Sequence, residues 1–457
     1  MKKFIVFGIG ISGIATVKFL LKNKYQVIAA DDNSSSLINL AEKFNDKNLI
    51  IADNLQKINW QDVSALVLSP GIALKYPEPH KAVVLAKKNN CPILGDVELL
   101  YLFNSKAQYI GITGTNGKST TTALVGHIFK ENNMKSFTGG NIGLPCLDLA
   151  SQDPDISYIL EMSSYQLDLI SKTRFNIATL LNITEDHLDR HLNMKGYIAA
   201  KKRIFLNQKQ GDFAVINIDD NNCRQIYQQL KSDPEFKASL IAISTNNITE
   251  NGISVIDNML YNNIGSKSTA KLPDLPALRG EHNAQNIAAA FANCFLTKIS
   301  QNNIIESLKN FHGLKHRLQL VATINNINFI NDSKGTNANS TKYALKAYDN
   351  IYWILGGKSK EGGIKSLKNY FSKIKYAFLI GQSQEEFAKI LADNKVKYYK
   401  CDNLENAFKQ AYQIAKADEK DNLTKNILLS PACASFDQWP NFEVRGDYFC
   451  KLVNKLK

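Results

Sequence analysis

The sequence contains no run of 18 or more apolar residues free of charge, which argues against a membrane-spanning helix. Cysteine is scarce: the seven residues are scattered and odd in number, which fits a reducing compartment better than a disulfide framework. The net charge is +13, but the basic residues form no block and no stripe interleaved with aromatic residues. Nucleic-acid binding is therefore a weaker explanation of the charge than an anionic small substrate or lysine-rich solvated helices. We expect a cytoplasmic protein with small-molecule partners, no nucleic acid and no membrane insertion.

The length of 457 residues exceeds that of one ordinary core, so about three domains are expected. The N-terminal segment MKKFIVFGIGISGIATV has the lysines and apolar run of a signal peptide. A strand–turn–helix is favoured instead, because Gly8, Gly10 and Gly13 form a GxGxxG turn and Asp31 and Asp32 lie about 18 residues beyond it. Alone, this fingerprint would favour an NAD-dependent oxidoreductase. The same turn accepts any pyrophosphate, including that of a UDP-sugar.

A second glycine loop lies in Tyr109–Thr122, YIGITGTNGKSTTT, between an apolar strand and a helix. Backbone N–H groups of such a loop surround phosphate oxygens, and the helix N-terminus adds its positive dipole end. Lys118 would supply a cation to the phosphates and Ser119 a hydroxyl to Mg²⁺. The strict GxxxxGK[ST] pattern is not met, because Ile112 stands five positions before Gly117. The segment is predicted to be a variant phosphate loop, with an ordinary glycine turn as the less favoured alternative.

Two further strands are predicted to end near this loop, because strand carboxyl ends gather at one edge of a parallel sheet. YILEM delivers Glu161, and IATLLNITEDHLDR runs out into Glu185, Asp186 and His187. Glu161 is a candidate Mg²⁺ ligand, since Mg²⁺ prefers oxygen. For His187 taken alone, a helix-capping or structural role is equally favoured.

The helix in NMKGYIAAKKRIFLN carries an unusual lysine. The apolar positions of this helix have a mean direction that falls almost on Lys201, whereas Lys202 points roughly 100° away. A lysine in the centre of a buried stripe is costly unless its charge is altered or paired. The alternative is a lysine that extends to the domain edge.

The segment after residue 313 is predicted to be a second Rossmann-like unit. LQLVATINNINFINDS indicates a hairpin with an Asn-Asn turn, and strands in NIYWILGG, YAFLIG and NILLSPA follow with helices between them. Four polar loops, at 316–317, 331–337, 356–360 and 430–438, suggest one site.

These motifs, in order along the chain, resemble the Mur ligases, which add amino acids to UDP-N-acetylmuramic acid. GTNGKST resembles their ATP loop, AAKKRI the segment that carries their carbamylated lysine, and NDSKGTN and SPACASFDQ the acceptor loops of the D-glutamate-adding branch. The resemblance implies an α/β fold of three domains: a Rossmann-like UDP-sugar domain (1–95), a central P-loop ATPase-type domain with a mainly parallel sheet (96–312) and a Rossmann-like amino-acid domain (313–457). It implies an ATP-dependent ligase that adds D-glutamate to UDP-N-acetylmuramoyl-L-alanine through an acyl phosphate, as a monomer, with domains that close to exclude water.

The resemblance also implies roles for individual residues. The ATP contacts would be Gly114, Thr115, Asn116, Gly117, Lys118, Ser119, Thr120, Asn283, Asn286, Arg317 and Asp332. The UDP-sugar contacts would be Gly8, Gly10, Ile11, Ser12, Asp31, Asp32, Ser69, Asn141 and His187. The D-glutamate contacts would be Lys334, Thr336, Lys360, Ser435 and Phe442. Two Mg²⁺ ions would be organised by Ser119, Glu161, His187 and carbamylated Lys201, and the catalytic residues would be Lys118, His187 and Lys201.

Two features depart from the family pattern. The family often has an arginine just after the acid of the second strand, but Asp32-Asn33-Ser34 follow Asp31 here, so the uridine contacts are open. GGKSKEGG offers both Lys358 and Lys360, and ungapped spacing favours Lys360. The other classes considered are an oxidoreductase, which leaves GTNGKST without a role, and a nucleotide-binding regulatory or structural protein, which leaves the inward Lys201 unexplained.

Overall fold

A computed structural model describes residues 2–278, 281–359, 362–418 and 423–456. The chain divides into two compact units, one of Met1–Pro273 with Glu281–Lys309 and one of Asp274–Gly280 with Asn310–Lys457. The described residues form three sheets with flanking helices, two in the first unit and one in the second. Among the helices described, none has the length and apolarity needed to cross a bilayer.

The N-terminal sheet has five parallel strands in the order β3-β2-β1-β4-β5. The elements are β1 (Lys3–Phe7), α1 (Ile11–Lys22), β2 (Gln26–Ala30), α2 (Ser34–Lys43), β3 (Leu49–Ile51), β4 (Val63–Leu68), α3 (Lys81–Lys88), β5 (Ile93–Leu94) and α4 (Asp96–Phe103). The strand–turn–helix predicted for the first residues is confirmed. Its turn requires glycine, because a Cβ on Gly13 would lie 1.9 Å from the Gly8 carbonyl oxygen.

The central sheet has nine strands in the order β14-β13-β12-β11-β10-β9-β6-β8-β7. Its strands are β6 (Gln108–Thr113), β7 (Ser136–Gly140), β8 (Ser157–Glu161), β9 (Ile177–Leu180), β10 (Phe213–Asn217), β11 (Ser239–Ser244), β12 (Gly252–Ile256), β13 (Met259–Asn262) and β14 (Ser268–Lys271). Its helices are α5 (Lys118–Glu131), α6 (Ser164–Asp168), α7 (Leu188–His191), α8 (Met194–Lys202), α9 (Asn221–Ser232), α10 (Glu281–Leu296) and α11 (Gln301–Lys309). The seven neighbouring strands β12, β11, β10, β9, β6, β8 and β7 are parallel. The antiparallel strands β13 and β14 at the other edge were not predicted.

The strand order positions the candidate site. β6, which leads into the second glycine loop, lies between β8 and β9, and Ile112 pairs with Glu161 while Thr113 pairs with Leu180. The ends of β8 and β9 therefore flank the loop, as the parallel-sheet argument predicts. β6 is anchored by Tyr109, Ile110 and Ile112, which are fully buried.

The sheet of the second unit has the order β15-β16-β20-β17-β18-β19. Its elements are β15 (Gln319–Ile324), β16 (Ile327–Asn331), α12 (Ala338–Ala347), β17 (Ile351–Gly356), β18 (Ile374–Ile380), α13 (Gln384–Asp393), β19 (Tyr398–Asp402), α14 (Leu404–Ala417), β20 (Lys425–Leu429) and α15 (Phe442–Asn454). The predicted hairpin is confirmed: Asn325 and Asn326 both have positive φ, as a type I′ turn requires. Polar loops follow the adjacent strands β16, β20 and β17, and the start of antiparallel β15 lies at the same edge.

Candidate active site

The second glycine loop joins β6 to α5 and is shaped by close packing. Gly114 has φ of +159° and Gly117 has φ of +83°, and Gly117 is the N-cap of α5. A Cβ on Gly117 would lie 2.3 Å from Oδ1 of Asn286, and one on Gly114 would lie 2.9 Å from Cβ of Leu181. Both positions therefore require glycine. Because Gly117 is the N-cap, the first N–H groups of α5 follow directly on the loop.

Asn182, just beyond β9, holds the loop. Its Oδ1 accepts from the Asn116 N–H at 2.8 Å, its Nδ2 donates to the Asn116 carbonyl at 3.1 Å, and its own carbonyl accepts from the Thr115 N–H at 2.8 Å. Thr115 Oγ1 donates to the Thr184 carbonyl at 3.1 Å. Sequence reasoning missed Asn182, although it lies in NITEDHLDR; its position at the end of a strand neighbouring β6 would have been the clue.

Lys118 at the start of α5 folds back over the loop. Its Nζ donates to the carbonyls of Gly114 and Thr115, both at 2.8 Å. Ser119 next to it is buried and Thr120 is half-buried. A cation is thus held at the loop, next to any anion that the loop would bind.

Lys201 on α8 is 1% exposed, which confirms the prediction that it faces inward. Its Nζ donates to the Gly114 carbonyl at 2.8 Å and lies 4.8 Å from the centre of the Tyr197 ring. Burial, and after it the nearby charge of Lys118, lowers the pKa of Lys201 well below its usual range. The neighbouring Lys202 is half-buried and donates to Oε1 of Gln229 at 3.1 Å.

Glu161 at the end of β8 is 2% exposed, and its two carboxylate oxygens differ in their contacts. Its Oε1 accepts from Nδ2 of Asn141 at 2.8 Å, whereas its buried Oε2 has no hydrogen-bond partner among the described residues. A buried, unpaired carboxylate oxygen is costly and fits a divalent cation as its partner. No group of three or more His, Cys, Asp and Glu side chains in the described parts of the chain could hold a metal by itself. This donor set suits Mg²⁺, which takes one or two carboxylates and completes its shell with phosphates and waters.

His187 occupies the N-cap position of α7 with φ of +53°, but its side chain makes no capping hydrogen bond. The imidazole Nδ1 lies 2.8 Å from the Tyr165 hydroxyl, and Nε2 lies 3.4 Å from Oδ2 of Asp186. The side chain is 46% exposed. It is thus held at the edge of the sheet that carries Glu161 and the loop, and the capping alternative does not account for its side chain.

Asn283 and Asn286 lie in the first turns of α10 and are both buried. Asn286 accepts from Oγ1 of Thr121 at 3.2 Å and donates to Oδ1 of Asn283 at 2.9 Å. The pair therefore links α10 to α5 directly behind Gly117. Contact with adenine remains a prediction.

The GxGxxG turn after β1 is held by two of the predicted residues. Asp31 accepts hydrogen bonds from the N–H groups of Ile9 and Asn33, the second at 2.8 Å. Ser69 Oγ donates to the Gly8 carbonyl at 2.5 Å. Asp31 and Ser69 thus shape the turn from two neighbouring strands.

The outer side of this turn is open. A Cβ on Gly10 would meet nothing within 4 Å, Ile11 is 79% exposed, and Ser12 is half-buried. Oδ2 of the exposed Asp32 lies 3.0 Å from Nε2 of His80. An open helix N-terminus flanked by a carboxylate is the arrangement that the nucleotide-sugar prediction requires.

In the second unit, Asp332 follows β16 and is 5% exposed. Ser430 Oγ donates to its Oδ2 at 2.6 Å and the Leu318 N–H to its Oδ1 at 3.2 Å, while burial raises the pKa of Asp332 to about 7. A Cβ on Gly335 would lie 2.6 Å from Oδ2. Arg317 lies half-buried beside β15.

Arg445 on α15 joins two of the predicted acceptor loops. It is 1% exposed; Nε donates to Ser333 Oγ at 3.0 Å, and Nη2 donates to the carbonyls of Ser333 at 2.9 Å and Cys433 at 3.3 Å. The third loop joins through Lys358 and Ala434, whose backbones exchange hydrogen bonds of 2.9 and 3.1 Å. Sequence reasoning missed Arg445, because a charged residue in a helix ordinarily indicates a solvent-exposed face.

Among the predicted acceptor residues, Lys334, Thr336 and Ser435 lie on these joined loops, and Phe442 is the first residue of α15. Lys334 Nζ is 5.7 Å from the centre of the Phe442 ring, Thr336 is half-buried, and Ser435 is buried. Lys360 lies outside the described residues.

Comparison with known proteins assigns the family. The chain matches three family models: "Mur ligase MurD-like, N-terminal domain" over residues 2–95, "Mur ligase middle domain" over 112–294 and "Mur ligase, glutamate ligase domain" over 316–433. It is 44% identical over 454 residues to a UDP-N-acetylmuramoylalanine–D-glutamate ligase of Rickettsia prowazekii, covering 99% of this chain and 98% of that protein. The chain belongs to the Mur ligase family. This Mur ligase is also 46% identical over 455 residues to the protein of that name in Rickettsia felis, covering 99% and 97%.

Solved structures agree on the fold of this Mur ligase. The UDP-N-acetylmuramate–alanine ligase of Thermotoga maritima matches with a TM-score of 0.58 and 16% identity, and a pseudomurein peptide ligase type C of Methanothermus fervidus matches with 0.55 and 18%, each over 100% of both chains. At this identity the likeness shows the fold alone. The expected fold of three α/β domains is confirmed, whereas the boundaries at 95 and 312 stay a prediction.

Proposed function

We propose that this Mur ligase joins D-glutamate to UDP-N-acetylmuramoyl-L-alanine with ATP, giving ADP and phosphate, in cytoplasmic peptidoglycan precursor synthesis. One observation carries the ligase chemistry: Lys118 and Lys201 both donate to the Gly114 carbonyl of a phosphate loop. The choice of D-glutamate rests on the full-length relatives of that name. Residues 1–95 would bind the UDP-sugar, 96–312 ATP and 313–457 the amino acid.

The phosphate loop would receive the triphosphate. Its glycines and the first N–H groups of α5 would surround the phosphate oxygens, and Lys118 would turn from the loop carbonyls to the phosphates. Two Mg²⁺ ions, when bound, would neutralise charge on the transferring phosphoryl group. The residues that would hold them are Ser119, Glu161, His187 and Lys201 in carbamylated form; the unpaired Oε2 of Glu161 supports this choice.

The need for ATP follows from the substrate. A carboxylate repels an attacking amine, so its oxygen first takes the γ-phosphoryl group of ATP, and ADP leaves. The amine of D-glutamate then adds to the acyl carbon, and the resulting tetrahedral intermediate loses phosphate and a proton to give the amide. On this chain, Lys118 would stabilise charge as the phosphoryl group moves, and Asn141 and His187 would orient the muramoyl-alanine end.

The acceptor would bind in the second unit. The residues that would contact it are Lys334, Thr336, Lys360, Ser435 and Phe442. Arg445 and the Lys358–Ala434 pairing join the loops that carry or adjoin the described members of this set. Arg317 and Asp332, in the same unit, would hold the ribose and phosphates of ATP. A dicarboxylate acceptor suits the two lysines among these residues.

The test is a phosphate-release assay with ATP, Mg²⁺ and UDP-N-acetylmuramoyl-L-alanine, to which D-glutamate, L-glutamate, L-lysine or meso-diaminopimelate is added in turn. Release should require both the UDP-sugar and D-glutamate. Robust turnover with L-lysine or meso-diaminopimelate would refute the assignment of the acceptor. Phosphate release that does not need the UDP-sugar would refute the proposed ligase activity.

A further inference from the structure

Tyr165 on the short helix α6 contacts His187 in two ways. Its hydroxyl lies 2.8 Å from Nδ1, and the two ring centres are 5.0 Å apart. The imidazole is 46% exposed and its backbone is in the left-handed region, so packing alone does not fix its rotamer. The hydroxyl of a tyrosine can either donate or accept a hydrogen bond, so it can meet Nδ1 in either tautomer of the imidazole.

The Tyr165 ring also contacts Arg190. The guanidinium carbon lies 4.6 Å from the ring centre, a cation–π contact. Nη1 of Arg190 donates to the Gly71 carbonyl at 2.7 Å, and Nη2 donates to the carbonyls of Ile72 at 2.9 Å and Pro70 at 3.4 Å. This loop follows β4 and begins next to Ser69, which bonds the GxGxxG turn. Arg190, on helix α7, thus links the loop after β4 to the aromatic partner of His187, within the first unit.

We propose that Tyr165 is a positioning residue for His187, and that Arg190 ties this pair to the 70–72 loop beside the predicted UDP-sugar turn. The inference deepens the proposed function and rests on it, since that function is what requires His187 to be held in one orientation. Tyr165 acts through the imidazole and touches no reacting atom. Arg190 acts one step further away, by fixing the ring of Tyr165 relative to the N-terminal sheet.

The planar fork of Arg190 matters for this role. Three carbonyl oxygens and an aromatic face surround one guanidinium, and lysine, with one compact ammonium, cannot meet all of them. Tyr165 also stacks on His191 at 5.7 Å between ring centres, and His191 Nε2 lies 2.9 Å from Ser164 Oγ. A phenylalanine at 165 would keep these packing contacts and lose only the hydroxyl.

The first experiment is Tyr165→Phe, with Tyr227→Phe on α9 as a matched control at another half-buried tyrosine. Loss of one hydrogen bond to a catalytic group should lower kcat roughly three- to tenfold and leave the KM for ATP unchanged. Tyr227→Phe should match the parent. Equal kcat for Tyr165→Phe and the parent would overturn the proposal.

A spectroscopic readout needs no substrate. In protein labelled with ¹³C-histidine, the ring cross-peak of His187, assigned with His187→Gln, should shift or broaden in Tyr165→Phe, while the Tyr227→Phe spectrum should not change. An unchanged His187 peak would overturn the contact. If the parent fails to release phosphate with the proposed substrates, the proposed function fails, but this spectrum still decides whether Tyr165 holds His187.

The tether is tested with Arg190→Lys. This variant keeps the charge and should raise the KM for the UDP-sugar roughly tenfold while the KM for ATP stays constant. In the double variant with Tyr165→Phe, the loss of kcat/KM for the UDP-sugar should be smaller than the product of the two single losses, because both changes break one connection. Losses that multiply would show that Arg190 and Tyr165 act independently and would overturn the tether.

Discussion

Lys201→Ala is the change that tests the candidate site most directly. The side chain is 1% exposed and its amine is held at 2.8 Å from a loop carbonyl, beside the charge of Lys118. An ordinary lysine, with a pKa of about 10.4, is neutral in about one molecule in a thousand near pH 7.4, and each unit by which the pKa falls raises that fraction about tenfold. The neutral amine is the form that adds CO₂, so burial itself favours the carbamate.

The carbamate proposed for Lys201 would be an anion beside the phosphate loop, and Lys201→Ala would remove it. Loss of one preorganised electrostatic group typically costs about 3–4 kcal/mol in the barrier, or about 10²–10³-fold in kcat. Lys202→Ala is the matched control: its amine bonds Gln229 on α9 instead of the loop, so kcat should stay within about twofold of the parent.

The assay is phosphate release, combined with ¹³CO₂ labelling of the active enzyme. Short carboxylic acids added to Lys201→Ala should occupy the place of the missing anion and restore part of the activity. An unmodified Lys201 in an enzyme that turns over at full rate would refute the reasoning. So would a Lys201→Ala variant within tenfold of the parent.

Three further predictions concern neighbouring residues. Lys118→Ala should lower kcat by about 10²–10³-fold, since this cation acts as the phosphoryl group moves, and a rate within tenfold of the parent would make the loop merely structural. Glu161→Gln should raise the Mg²⁺ concentration needed for half-maximal rate with little change in Tm; an unchanged titration with a lower Tm would exclude Glu161 as a ligand. Burial raises the pKa of Asp332 to about 7, so between about pH 4 and 7 this carboxyl is protonated in the folded chain and ionised in the unfolded chain. Its contribution to the free energy of unfolding should therefore fall by about 1.4 kcal/mol for each pH unit across that window. Urea unfolding of Asp332→Asn should lack this slope, and an identical slope in the variant would contradict the raised pKa.

Local patterns predicted part of this site and long-range contacts supplied the rest. The helical period alone placed Lys201 inside, and the parallel-sheet rule placed Glu161 and His187 beside the phosphate loop, because both depend on spacing along single elements. The partners of these residues could not be predicted in the same way. Asn182 clamps the loop from a neighbouring strand, and Arg190 reaches carbonyls 118 to 120 residues away in sequence, which no local pattern encodes.

The same limit explains what the fold prediction missed. The short strands β3, β5 and β19 have two to five residues and too little alternation to stand out. Arg445 is a different case, because its guanidinium is buried against Ser333 and Cys433 although the residue is charged. Phe442, Phe449 and Leu452 lie three, four and seven positions from it and share its face of α15, so the helical period did carry this signal. The partners of the guanidinium lie on two distant loops, and these only the tertiary structure shows.

The clamp on the phosphate loop has a thermodynamic consequence. Asn182 fixes Asn116 from both of its amide atoms, and Asn286 closes the space behind Gly117. The conformational entropy of the loop is therefore lost when the chain folds, and little remains to be lost when a ligand arrives. In the proposed function, Lys118 would still have to turn towards the phosphates, at the expense of two hydrogen bonds to loop carbonyls. Affinity for a triphosphate should accordingly respond more to changes at this one side chain than to added rigidity anywhere in the loop.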